Sequence, residues 1–168
     1  VRLFTLIISY TPEPMAMSYY LAVCFIEGTG GLHQSFDRAK YYLEKAVKNT
    51  DERVENPGYT QFILGETLLQ LTMERYDGMI NLPGHSILPK ALHWFCKANT
   101  LGYDVAYERI KQLEQDLNCL CANCQRRANV FTEKLKRCTR CAAAWYCGKD
   151  CQRAHWKAGH KIDCFRHE

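Results

Sequence analysis

The sequence predicts a mainly α chain in which helix–turn–helix repeat pairs are followed by a small, cysteine-stapled module. Three observations lead there. A helical motif recurs 52 residues after its first appearance. Eight of the ten cysteines crowd into positions 119–164. The charge balance also changes sign near Asn118: residues 1–118 carry 11 Lys and Arg against 14 Asp and Glu, a net of −3, whereas residues 119–168 carry 11 against 4, a net of +7. Charge and cysteine density thus divide the chain into a helical region, 1–118, and a compact module, 119–168.

Taken in order, the opening Val1–Tyr10 is apolar but short for a signal segment and does not start with Met. It reads as a buried element cut from a longer chain. Met15 to Glu27 is apolar with helical character, and Gly28-Thr29-Gly30-Gly31 then supplies a breaker-rich turn. Next come Ala39-Lys-Tyr-Tyr42-Leu43-Glu-Lys45-Ala46 and, later, Ala91-Leu-His-Trp94-Phe95-Cys-Lys97-Ala98. They share the pattern A-x-x-aromatic-apolar-x-K-A. In each, positions i, i+4 and i+7 (Ala39/Leu43/Ala46 and Ala91/Phe95/Ala98) fall on one helix face, with small residues that let a neighbour approach. The second copy follows an apolar helix over Thr60–Glu74 and a longer loop running from Asp77-Gly78 to Pro83-Gly84. A last helix, Val105 to Leu117, has the composition of a terminal cap. Composition agrees, with 47% apolar and 24% charged residues, a globular and not a disordered balance. No apolar run reaches the ~20 residues of a membrane helix. Cys24 and Cys96, alone in helical apolar settings, are expected to be buried thiols.

These repeats resemble Sel-one-like repeats, relatives of the tetratricopeptide repeats, over roughly residues 13–103. Gly28 and Gly30, Asp37 with Ala39, and Lys90-Ala91-Leu-His-Trp94 stand in the matching places. The second unit departs in its long loop and lacks the Gly-x-Gly turn. Repeat stacks usually need ~3 units, which suggests further repeats upstream. The resemblance implies a helical scaffold with a surface for a protein partner.

A secreted disulfide framework would staple the whole chain, so cysteines clustered beside histidines point instead to metal ligation in a reducing, intracellular compartment, cytoplasmic and/or nuclear. The pairs are Cys121-x-x-Cys124, Cys138-x-x-Cys141, Cys147-x3-Cys151 and His160-x3-Cys164. A C-x-x-C turn brings two thiolates onto one tetrahedral ion, and an x3 spacing suits residues i and i+4 of a helix. Eight ligands make two closed tetrahedral zinc sites, neither with the open position that a catalytic zinc needs. Spacing alone leaves open whether the pairs interleave or bind in sequence. Cys119 could compete with Cys121, but only Cys121 gives C-x-x-C. His155, at i+4 from Cys151, and His167 are extra imidazoles.

The stretch from Cys141 to Cys164, with Tyr146-Cys147, Cys151-Gln152, Trp156 and His160-Lys161-Ile-Asp-Cys164, resembles a MYND zinc finger, and the resemblance covers Cys121–Cys164. It implies two interleaved, cross-braced zincs, one held by Cys121, Cys124, Cys147 and Cys151 and the other by Cys138, Cys141, His160 and Cys164. A RING finger is a poorer fit, because its later pairs are separated by two residues. By its family position, His155 reads as a surface or supporting residue and not as a ligand. In these fingers the residues matching Gln152 and Trp156 line a shallow groove for short proline-containing peptides. Tyr146, between ligands, is expected in the core.

The basic surplus has a plain source. Seven thiolates and two dications together contribute −3, so the finger's +7 falls to about +4, and nearby Lys and Arg help hold the cysteines ionised. The aromatic side chains do not alternate with basic ones as a nucleic-acid stacking platform would. No Ser/His/Asp or Cys/His nucleophile arrangement stands out. The expectation is therefore a non-enzymatic, zinc-binding protein–protein interaction adaptor. The rivals are an accessory fragment of a lysine methyltransferase, since such fingers also occur beside SET domains, and a nucleic-acid-associated regulator.

Overall fold

A computed structural model describes residues 14–48, 58–76, 87–129 and 131–164. Five helices come first: α1 Pro14–Glu27, α2 Phe36–Lys48, α3 Tyr59–Tyr76, α4 Leu88–Thr100 and α5 Val105–Leu117. The predicted spans hold to within two residues at each end compared, and the two motif copies lie on α2 and α4. The opening segment Val1–Tyr10 and the loop from Asp77 to Gly84 lie outside the described residues.

The repeat motif is legible in the packing. Ala39, Leu43 and Ala46 of α2 and Ala91, Phe95 and Ala98 of α4 are all at most 3% exposed. Each copy packs back on the helix before it, α2 on α1 and α4 on α3, with α3 also against α2 and α5 against α4. Helix α3 packs between α2 and α4. It buries Leu64, Leu68 and Leu71, and its buried Thr67 and Thr72 hydroxyls donate to the carbonyls of Ile63 and Leu68, four residues back, at 2.8 and 3.1 Å. Gly65 permits a close approach within this unit. A Cβ there would stand 2.6 Å from the Phe95 ring, so only glycine lets that ring lie against α3. Aromatic contacts extend the joint: Phe62 meets Phe95 at 5.4 Å and Tyr103 at 5.1 Å, and Tyr59 meets Tyr103 at 5.5 Å. Two half-buried ion pairs cross between helices, Lys90 to Glu44 at 3.0 Å and a two-pronged Arg109 to Glu66 at 2.6 and 3.2 Å.

The module that follows has little regular structure. Strands β1 (Lys136–Arg137) and β2 (Trp145–Tyr146) pair antiparallel, and single bridges join Leu120 to Arg127 and Cys121 to Trp145. A short helix α6 (Lys149–His155), a widened turn (Trp156–His160) and a single turn α7 (Lys161–Asp163) complete it. One apolar cluster runs from the helical core through Leu113 and Leu117 of α5 into Ala122, Trp145 and Tyr146. Arg137 of β1 fastens the same seam, donating to Glu114 of α5. The chain divides by composition near Asn118, yet its two parts share a packed boundary.

Cys24 and Cys96 correct one expectation. Both are half-buried, not fully enclosed. Burial still pushes the Cys96 thiol up, with the Glu114 carboxylate adding to it, so the neutral form is favoured.

Candidate metal centres

No cysteine is in a disulfide. Eight side chains gather instead into two groups, Cys121/Cys124/Cys147/Cys151 and Cys138/Cys141/His160/Cys164, each with its ligand atoms within 4.8 Å of one another. The geometry settles what spacing left open: the first pair joins the third and the second joins the fourth, so the sites are cross-braced. Cys119 belongs to neither group; its Sγ faces the Asp116 carbonyl at 3.8 Å.

The separations fit zinc. A tetrahedral ion with arms of ~2.3 Å sets its sulfurs about 3.8 Å apart. In the first group Cys147 lies 3.7 Å from Cys121, 3.8 Å from Cys124 and 3.2 Å from Cys151. In the second, Cys138 lies 3.9 Å from Cys164, and Cys141 lies 3.6 Å from Nε2 of His160. Four thiolates in one group and three thiolates with an imidazole in the other are the donor sets of structural zinc. Two such ions, fully ligated by protein, would crosslink the chain with no position left for water or substrate.

The first two pairs sit on matching knuckles. After Cys124 and Cys141 the backbone turns left-handed, at Gln125 (φ 57°) and Ala142 (φ 51°). Each turn is closed by a hydrogen bond to the carbonyl of the first cysteine, Gln125 N to Cys121 O at 2.9 Å and Ala142 N to Cys138 O at 3.0 Å. Side-chain-bearing residues in this region cost about 1–2 kcal/mol, which the ligand pairs must outweigh. The signal was present in the sequence, as the residue following each C-x-x-C, but neither is the glycine that would have announced it.

The third pair is not arranged as expected. Cys147 does not share a helix with Cys151, because it precedes an extended Gly148 and only Cys151 lies in α6. The fourth departs similarly: His160 ends the widened turn, and Cys164 lies just beyond α7. Gly159, at φ 138°, breaks the helix and swings His160 inward.

One sulfur in each group is drawn toward the thiolate, while the thiols of Cys124, Cys141, Cys151 and Cys164 are pushed up. Burial alone would raise the Cys121 thiol, but backbone N–H groups of Cys124, Cys147 and Asn123 outweigh it and hold it down at about 6. Cys138 is drawn down chiefly by the Cys141 thiol, and also by His160 and the backbone N–H groups of Cys141 and Arg140.

His155 is neither a ligand nor a surface residue. It is 1% exposed, stacks on the His160 ring at 4.7 Å with 13° between planes, and shares a 3.0 Å hydrogen bond between Nδ1 and the buried Tyr146 hydroxyl. Burial, and then the neighbouring His160, push it down to about 4, so it stands neutral at physiological pH. Tyr146 is fully buried as expected, and Trp145 joins it at 7% exposure. Trp156 is 38% exposed. It shares a shallow groove of about 460 Å³ with Gln152, Lys149, Arg153 and Lys157, and one edge rests against His160 at 6.0 Å.

Comparison with known proteins agrees with the module. Residues 121–164 match the family model described as MYND finger. That segment is a MYND-type zinc finger, a zinc-binding protein-interaction module. Over 33 residues, 20% of this chain, the sequence is 46% identical to histone-lysine N-methyltransferase ASHR1 of Arabidopsis thaliana, and the match covers 7% of that protein. No solved structure matches the chain significantly. Among the described residues, no helix is long and apolar enough to cross a membrane.

Proposed function

We propose that the chain is a non-enzymatic intracellular adaptor in which the finger holds a short, proline-containing segment of a partner protein and Sel-one-like repeats scaffold a second contact. The observation that carries this reading is the half-exposed Trp156 beside Gln152. A module this small would be expected to bury an indole; instead the ring forms one wall of a groove. An indole face packs well on a proline ring, and the Gln152 amide lies within reach of a peptide backbone. Contact with His160 makes the ring's position depend on the second metal site.

Trp156→Ala in the zinc-loaded chain tests it. The variant should retain two zinc ions per chain while binding to proline-containing peptides falls by about tenfold or more, the loss typical of a buried aromatic anchor. If zinc is lost with the indole, Trp156 is a structural residue and the groove reading falls.

The similarity to a protein named as a histone-lysine N-methyltransferase favours a second reading, in which the finger accompanies methyl transfer carried out elsewhere in a longer chain. It is the weaker reading, because the match is short and the region before the finger is a helical array. Methyl transfer from S-adenosylmethionine to histone peptides, measured on the full-length gene product, separates the two.

A further inference from the structure

The helical region carries a second groove, remote in sequence from the finger's peptide face. It lies between α2 and α4 with α3 beneath, has a volume of about 730 Å³, and is lined by Glu44, Lys48, Gln61, Lys90, Trp94 and Lys97, among others. A cleft of this size accommodates several side chains.

Its charge is the reverse of its surroundings. Residues 1–118 are net −3, yet the groove is lined by three lysines and one glutamate. The glutamate is occupied on the protein side: Glu44 accepts from Lys90 at 3.0 Å and has Lys40 at 3.9 Å. Lys48 and Lys97, both exposed, stand on opposite walls, one at the end of α2 and the other in the last turn of α4. Between them lie apolar surfaces, the Trp94 ring and Leu101, which is 43% exposed. An apolar base with a cationic rim asks for a ligand that is acidic at its edges and apolar between them.

We infer that this groove docks an acidic, extended segment of a partner polypeptide, with side-chain carboxylates on Lys48 and Lys97 and an apolar residue against Trp94. A nucleic-acid strand is also anionic but suits the groove less well. Among the lining residues Trp94 is the one aromatic ring, whereas a strand binds by stacking successive bases on several. The Glu44 carboxylate would repel a continuous phosphate chain, whereas a peptide can place an uncharged residue there.

Fluorescence anisotropy of the whole zinc-loaded chain with a fluorescein-labelled peptide of alternating glutamate and leucine tests the inference. Reversing both rim charges, Lys48→Glu with Lys97→Glu, should weaken binding by about tenfold or more, the sum of two solvent-exposed charge contacts turned repulsive. The neutral pair Lys48→Gln with Lys97→Gln should fall between, and its circular dichroism should match the parent, because both side chains are exposed. Charge reversal on the finger away from its groove, Lys134→Glu with Lys136→Glu, both exposed, should leave the affinity unchanged. The inference is overturned if the peptide does not bind or the α2/α4 reversal is silent. It is also overturned if the finger reversal abolishes binding, or if a labelled single-stranded oligonucleotide binds more tightly through the same lysines. None of these outcomes depends on Trp156, so this inference and the finger's peptide reading fail separately.

Discussion

The helical region and the finger bury their interiors with different materials. In the helices the core is built on large apolar side chains, Leu43, Leu64, Leu68, Leu71, Leu88 and Phe95, with alanines filling the close contacts between helices. In the finger the buried residues are mostly alanines and cysteines, with Trp145 and Tyr146 as the large apolar pair and the two histidines beside them. The first is held by apolar area. The second has too little of it, and its eight ligand side chains must supply what area cannot. The same few residues therefore carry fold and shape in the finger, whereas in the helices the load is spread.

The largest expected effect separates the two at once. Structural zinc contributes ~10–16 kcal/mol per site, comparable with the ~5–15 kcal/mol total stability of an ordinary domain. Chelation should therefore unfold residues 121–164 while α1 to α4 keep most of their helical signal. Hydrogen exchange read segment by segment would show it, with amides such as Cys138, which donates to Ala144 O at 2.8 Å, losing protection. Continued protection there without metal would contradict the distinction. Helix α5 should respond in between, because Leu113 and Leu117 lose the finger as a packing surface.

The reciprocal cut is smaller. Phe95→Ala removes a fully buried ring wedged against Gly65, and substitutions of this kind cost about 3–5 kcal/mol. Thermal unfolding of the helices should move down by many degrees, while zinc content stays at two per chain. Loss of zinc in that variant would mean that the two regions fold as one cooperative unit.

The two materials also explain what the sequence disclosed. Ligand identity was legible because a metal site needs particular atoms at particular spacings, and the spacing of Cys121 to Cys164 survives in one dimension. The helices were legible because Ala39/Leu43/Ala46 and Ala91/Phe95/Ala98 carry a 3.6-residue period. What could not be read was anything decided across chain distance. Spacing did not place Cys147 ahead of its helix, because Gly148 and Gly159 determine where the backbone turns. Nor did it reveal that His155 is buried against His160, since a surface histidine and a stacked one look alike until the helix is rotated into place. The Arg137–Glu114 pair joins residues 23 apart, with no local pattern to mark them.

That pair gives the finest test, because it lies on the seam between the regions. Its side chains are 40% and 36% exposed, so solvent screens it, and such pairs contribute ~0.2–1 kcal/mol. Arg137 does more than meet Glu114. It also donates to the Ala142 carbonyl at 2.7 Å, steadying the strained knuckle, and lies over the Trp145 ring at 5.2 Å. Arg137→Ala alone should therefore destabilise more than Glu114→Ala alone, and only a double-mutant cycle isolates the contact that crosses the seam. A coupling toward the lower end of that range is expected from denaturant unfolding of the zinc-loaded chain. The two regions would then be neighbours joined mainly by the apolar contact of α5, each free to engage its own partner. A coupling well above 1 kcal/mol would instead tie the finger's knuckle to α5 and, through it, to the helices that form the basic groove.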